Sequence, residues 1–578
     1  MATMDRPIDG RSIFTLIVFL ATNIIVIAPF SISIPLYIWN GVRKTAVSLR
    51  VLEPTIRLHR SPRFRFDFST VPVIAVLLLL ATTCIGGEEV YKGIVGSNGI
   101  KPYDIMCLFI SLAYISISLD ATGLLRFLAF WVAKRGGASG RRLYFLLYFF
   151  FLAYGLIVGN DPVILSGTPF LAYLTRVADM DPIAWLFAQF AACNMASVVL
   201  VSSNPTNLVL AGAYSLSFLT YTANTILPFL AAAVCVFPVL TFWTFPTPKY
   251  VPRIVNQPDV DPRVALIDKN GAIFGSVLLI TALAVLVSTS AAGLHVSVWQ
   301  VTVPAGLLML SRDIAHDLHL STLVRRLLLS KDDKVAALGH VEDPNGRYLD
   351  GMANEEQPIE NSVEMVNIPR ESQQSFASSS RTQSDATATP VHTANPMTLQ
   401  SLISALEHRL PTLTAVVPRL PLTLLPFAFA MFTLVQGISV TGWLAVFTGW
   451  WATYAERTGP IGVVFLMGLV SVLLCNFCGT NIGATILLAS ILQSWTQQYN
   501  PSPRMSAGAL YALAIGSNYG AFSTTFPASL AGLLWRTILY QKGIEVRTLQ
   551  FAKLNLVTIA VAMASGCAVL IAQLYVVY

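Results

Sequence analysis

Four short polar stretches carry almost all of the side chains that could bind a solute within this apolar chain. The first is Gly159-Asn160-Asp161-Pro162, set between residues 143–158 and 163–174, which are otherwise nearly free of polar groups. The second is Ser202-Ser203-Asn204-Pro205-Thr206-Asn207, and the third is Asn476-Phe477-Cys478-Gly479-Thr480-Asn481. The fourth runs Gly516-Ser517-Asn518-Tyr519-Gly520, then Ser523-Thr524-Thr525 and Pro527. Asn160, Asn204, Asn481 and Asn518 each supply donors and acceptors that can replace a hydration shell. Taken singly, any of them could be a helix cap or a packing residue. Their recurrence at matched places in two halves of the chain argues for a shared site. Asp161 is the strongest single candidate, since a carboxyl at membrane depth marks function by default. Its alternative is a protonated cap on the following helix. The candidate substrate- or ion-binding set is therefore Asn160, Asp161, Ser203, Asn204, Thr206, Asn207, Thr480, Asn481, Ser517, Asn518, Ser523 and Thr524.

No nucleophile–base set or metal cluster accompanies them, so the expected chemistry is binding and transfer, not catalysis. No cofactor or metal is expected beyond a coupling H+ or Na+. Cys475 and Cys478 form a C-x-x-C without a second pair and read as small buried residues near a helix break.

The elements that hold these stretches follow from composition. The 578 residues are 54% hydrophobic and 12% charged, with a mean hydropathy of +0.64. Charged residues make up about a quarter of an ordinary soluble domain. Apolar runs near the ~20 residues that span a bilayer recur throughout. The chain is thus expected to be an all-α polytopic membrane protein of about eleven spans, with membrane lipid as a partner. The net charge of +7 sits in a few loops and speaks to orientation, not to nucleic acid.

Residues 13–39 read as a first span, longer than a signal-peptide core and without a cleavage site, so the first unit is 1–40. A basic cytoplasmic loop with Arg43, Lys44, Arg50, Arg57, Arg60, Arg63 and Arg65 follows over 41–70. A first transmembrane repeat plus an extra helix pair covers 71–311. Residues 312–411 are a cytoplasmic, largely disordered linker, rich from about 342 to 396 in Ser, Thr, Asn, Gln and Pro. A second, inverted repeat covers 412–578, with Arg419 marking the inner end of its first span.

Within each repeat an interfacial helix (residues 120–135 and 441–457) precedes a re-entrant hairpin tipped by Asn160-Asp161 or by Asn476 to Asn481. A helix broken at Asn204 or Asn518 comes next. Backbone interrupted at that depth is tolerated only where it lines a cavity. Opposite insertion of the two hairpins brings their tips and the broken helices together at the midplane. Asp120 is read as a solvated N-cap at the membrane surface.

Asn160-Asp161-Pro162 with Thr168-Pro169, Ser203-Asn204-Pro205-Thr206-Asn207-Leu208, and Gly516-Ser517-Asn518 leading to Pro527-Ala528-Ser529-Leu530-Ala531 and Leu534-Trp535-Arg536 resemble the ion transporter superfamily. They look most like its arsenite-pump branch, which includes plant silicon effluxers and is linked to sodium/proton antiporters and citrate-transporter-like proteins. The resemblance covers nearly the whole chain outside 312–411. It implies a homodimer whose protomers each have a scaffold and a transport domain moving elevator-fashion, joined by the two interfacial helices. Many relatives carry paired polar residues at the second tip, where this chain has Asn481-Ile482.

A di- or tricarboxylate would meet Asp161 with no Lys or Arg in the four motifs to offset it, a costly juxtaposition at low dielectric. The expected function is therefore secondary transport of a small inorganic solute, arsenous or silicic acid, by proton-coupled efflux at the plasma membrane. The alternatives are a sodium-coupled anion or citrate-like carrier, a sodium–proton antiporter, or a non-transporting scaffold.

Overall fold

The computed structural model describes residues 8–49, 63–96, 101–255, 261–292, 299–338 and 409–578. The chain is an α-helical polytopic membrane protein, and its one sheet among the described residues is a two-stranded ribbon. Helix α1 (Gly10–Ile27) starts at Asp9, whose carboxylate accepts from the Ser12 amide at 2.8 Å. The first span ends there and not at residue 39. Pro29 and Pro35 cannot donate intrahelical bonds, and the chain turns into strand β1 (Phe30–Ser33) and helix α2 (Leu36–Ser48). Strand β2 (Arg63–Phe66) pairs antiparallel with β1. The expected basic loop accordingly begins inside α2, and its residues 50–62 lie outside the described residues.

Helices α3 (Val71–Ala81) and α4 (Gly87–Ile94) lead into the first repeat. That repeat comprises α5 (Pro102–Ala121), α6 (Leu124–Gly136), α7 (Gly140–Val158), α8 (Asn160–Val177), α9 (Pro182–Ala196), α10 (Pro205–Ala213) and α11 (Phe218–Pro238). Helices α12 (Lys269–Ala291), α13 (Trp299–Leu338) and the short α14 (Pro411–Val416) intervene. The second repeat comprises α15 (Leu424–Val440), α16 (Trp443–Phe477), α17 (Asn481–Tyr499), α18 (Pro503–Tyr519), α19 (Leu530–Gln541) and α20 (Thr548–Val577). The helix α13 continues through 312–338, so the expected linker starts later than its composition suggested; residues 339–408 lie outside the described residues.

Backbone angles establish the repeat. Gly123 and Gly442, each entering an interfacial helix, both have φ 87°. Gly137 ends the first of these helices at φ 63°, ψ −166°, and Gly459 kinks α16 at φ 63°, ψ −165°. The hairpin tips turn at Gly159 (φ 93°) and Gly479 (φ 78°). Only glycine takes this left-handed backbone without a steric cost. Eight of the described helices are long and apolar enough to cross a membrane.

Helices α9 and α18 are buried along almost their whole length and form the core. Small residues let them approach their neighbours closely: a Cβ on Gly516 would lie 2.5 Å from that of Ser471. Gly123 shows how tightly the interfacial helix is seated. A Cβ there would meet the Ala265 carbonyl at 2.0 Å, whereas at Gly137 nothing lies within 4 Å. Both positions have a positive φ that costs a residue with a Cβ about 1–3 kcal/mol. Gly123→Ala is therefore expected to lower the thermal midpoint of the detergent-solubilised protein clearly more than Gly137→Ala. Equal shifts would mean that this contact does not limit stability.

Candidate functional site

The first hairpin tip is built by the turn at Gly159, whose amide donates to the Gly155 carbonyl at 3.0 Å and closes α7. Helix α8 begins at the next residue, so Asn160 and Asp161 occupy its first turn, where the helix dipole is positive. Pro162 is tolerated there because that amide has no intrahelical partner. Farther along, Pro169 leaves the Leu165 carbonyl without its intrahelical donor. Leu165, Asn160 and Asp161 all line one cavity of about 70 Å³. Ser116 and Ile117 of α5, Ser202, Ser203, Arg419, Pro421 and Leu534 of α19 complete much of its wall. Mostly apolar but large enough for water, it is lined by both halves of the chain.

Two charged residues here differ from expectation. Asp120 is not solvated: it is 3% exposed, near the C-terminal end of α5, and accepts a hydrogen bond from the Ser166 hydroxyl on α8. Arg419 is not simply a topology marker, for its Nη1 lies 3.8 Å from Asp120 Oδ2 and it is one of the residues lining the cavity. The four motifs contain no cation, but the fold delivers one from outside them. Asp161 is half-buried and makes no ion pair with the described residues.

Behind the cavity the asparagines join the two repeats. Asn160 Nδ2 donates to Asn194 Oδ1 on α9 at 3.4 Å. Ser197, one helical turn beyond Asn194, donates to Asn518 Oδ1 at 2.8 Å, and Asn518 Nδ2 donates to Asn207 Oδ1 at 2.7 Å. Asn207 in turn donates to the Ser197 and Leu200 carbonyls, at 2.6 and 2.8 Å, where α9 has unwound. Asn204 caps α10 by accepting from the Thr206 amide, and the Thr206 hydroxyl lies 3.4 Å from Asn207 Oδ1. Ser203 donates to the Leu156 carbonyl at 3.2 Å, which fastens the break in the first repeat to the hairpin.

The second tip is filled by its own side chains. Thr480 caps α17, and Asn481 Nδ2 donates to the Ser517 carbonyl at 3.3 Å. The Ser517 hydroxyl bonds back to the Ala514 carbonyl within α18. Asn476 reaches across to the other break, donating to Ser523 and accepting from the hydroxyls of Thr524 and Thr525 and the Thr525 amide. Eleven of the twelve candidate residues thus enter hydrogen bonds, and Asp161 stands apart on the cavity wall. Sequence reasoning missed Asp120, Ser166, Arg419, Asn194 and Ser197. For the last two a signal existed, since polar residues three apart share one face of a helix.

This geometry suits a binding site between two repeats. Residues 59–343 match the family model described as citrate transporter. That is just under half of the chain. Among solved structures, the Alcanivorax borkumensis YdaH transporter, described as having an unusual topology, is 13% identical over 98% of this chain and 99% of its own, with a TM-score of 0.49. No curated protein matches. Both findings concern transporters, not enzymes.

Proposed function

We propose that the protein is a secondary transporter that carries a small carboxylate-type anion together with a cation through the cavity at the first hairpin tip. The observation that carries this reading is Arg419 in the same wall as Asp161. A guanidinium offers the planar donor fork that carboxylates favour, and Asp161 with the α8 carbonyls offers oxygens to a Na+ or a proton. The electrostatic objection to a carboxylate falls away once a cation faces the cavity. The description of the matching family, citrate transporter, supports the same class. The asparagine network holds the two breaks in register around the cavity, and the homodimer and elevator movement belong to this proposal.

A second reading is the proton-coupled export of a neutral hydroxide such as arsenous or silicic acid. Its support is that Asp120, 3.8 Å from Arg419, already offsets the guanidinium and leaves Asp161 as the unbalanced charge. Purified protein in liposomes separates the two. Citrate uptake driven by a sodium or proton gradient supports the first; arsenite or silicic acid flux without citrate uptake supports the second. In either case Asp161→Asn is expected to abolish dependence on the ion gradient, and full gradient-driven flux in that variant would remove Asp161 from coupling.

A further inference from the structure

Helices α12 and α13 have no counterpart in the repeat, and α13 carries two carboxylates that the site itself does not use. Asp313 and Asp317 are both fully buried. Asp313 Oδ2 accepts from the hydroxyls of Tyr114, at 3.0 Å, and Ser118, at 2.5 Å, both on α5. Arg312 pairs with Asp313 at 3.3 Å and also with Asp268, which precedes α12. One turn along, Asp317 Oδ2 accepts from the backbone amides of Thr412, at 2.9 Å, and Leu413, at 3.2 Å. These amides open α14, and the 3-10 turn that follows α14 ends at Arg419. Ser118 lies two residues before Asp120. One helix therefore fastens both of the segments that carry Asp120 and Arg419, through charge-assisted hydrogen bonds to Ser118 and to the Thr412 and Leu413 amides, the stronger kind.

We propose that Asp313 and Asp317 are positioning residues, and that the added helix α13 is a brace that sets Arg419 against Asp120 beside the cavity. Asp317 is the more telling of the two. Its partners are backbone amides of a helix of only six residues, which has little stability of its own. Without that anchor α14 is released from α13, and Arg419 loses its fixed place in the cavity wall. Asp313 acts on the other member through α5, which is long and also held by its packing on α12 and α13.

The test rests on the anion-carrier reading for one readout and stands apart from it for the other. In the full-length protein, hydrogen–deuterium exchange should show Asp317→Ala losing protection at residues 412–413 and also at 417–421. Asp317→Asn, whose side-chain oxygen can still accept both amides, should retain protection. In liposomes, Asp317→Ala should raise the KM for citrate about tenfold with the maximal rate within twofold, and Asp317→Asn should restore it. The Asp317→Ala/Arg419→Gln pair should be no worse than Arg419→Gln alone, because both changes remove the same guanidinium contact. If Asp317→Ala fails to fold, Asp317→Ser, too short to reach both amides, serves in its place. Unchanged exchange at 417–421, or KM effects that multiply in the double variant, would overturn the proposal. If the wild type moves no citrate, the carrier reading fails while the exchange result still decides the brace.

Discussion

Arg419→Gln should raise the KM for a transported carboxylate by roughly 10- to 100-fold. A hydrogen bond to a charged group contributes about 1.5–3 kcal/mol, and about 1.4 kcal/mol is a factor of ten. The lower end is expected, because the Arg419 side chain is 31% exposed and partly screened. The same substitution also strips Asp120, 3% exposed, of its cation and leaves the Ser166 hydroxyl as its hydrogen-bond partner. An unpaired buried charge costs about 3–5 kcal/mol, so a loss of folded protein could be mistaken for a loss of binding. Asp120→Asn combined with Arg419→Gln separates them: it removes both charges and should recover the thermal midpoint without recovering the KM. Arg419→Lys keeps the charge but loses the fork and should fall between. Radiolabelled citrate uptake across a concentration series gives the KM. Recovery of both midpoint and KM in the double variant would mean that Arg419 serves Asp120 and never meets the solute. Under the neutral-hydroxide reading, arsenite flux should be nearly indifferent to Arg419→Gln once stability is matched.

How much of this was legible before the structure depends on the kind of signal. A polar tetrad such as Gly159-Asn160-Asp161-Pro162 inside an apolar run has few physical solutions, because unpaired backbone cannot face lipid. The hairpins and broken helices could therefore be placed from the sequence. Gly123 and Gly442 share a φ of 87°, which shows why glycine stands at both positions. Arg419 was not legible. A cation at the end of an apolar stretch looks like any topology charge, and only the Asp317 contact to Thr412 and Leu413 turns it inward. Asp120 failed for the matching reason: the end of a span reads as the membrane surface unless a neighbour covers it, and here α8 and Arg419 do. The length of α1 was overestimated because hydropathy across 13–39 outweighed two prolines that end a helix without making the run polar.

Asn518→Ala is the substitution expected to damage the fold most. Asn518 is fully buried, as are Asn207 and Ser197, and it is the one residue of the second repeat whose side chain bonds to both of them. Truncation leaves Asn207 Oδ1 without its 2.7 Å donor, while the Ser197 hydroxyl keeps the Asn194 carbonyl as an acceptor at 2.8 Å. A buried polar group left unsatisfied costs about 1–3 kcal/mol, a sizeable share of the about 5–15 kcal/mol that holds an ordinary domain folded. Thr206, 3.4 Å from Asn207 Oδ1, replaces little of the lost bond. Asn518→Asp is the sharper comparison, since it keeps size and acceptor but turns the donor that faces Asn207 Oδ1 into a second oxygen. If the network holds the repeats together, both variants should unfold at lower temperature and Asp should not rescue Ala. Asn476→Ala, confined to the second tip and its loop, should cost less, because Ser523 keeps its bond to the Gly520 carbonyl at 2.6 Å and the Thr524 and Thr525 groups it releases are only half-buried and within reach of water. A thermal midpoint for Asn518→Ala equal to that of Asn476→Ala would mean that the bridge between repeats carries no more of the fold than a hydrogen-bonded loop does.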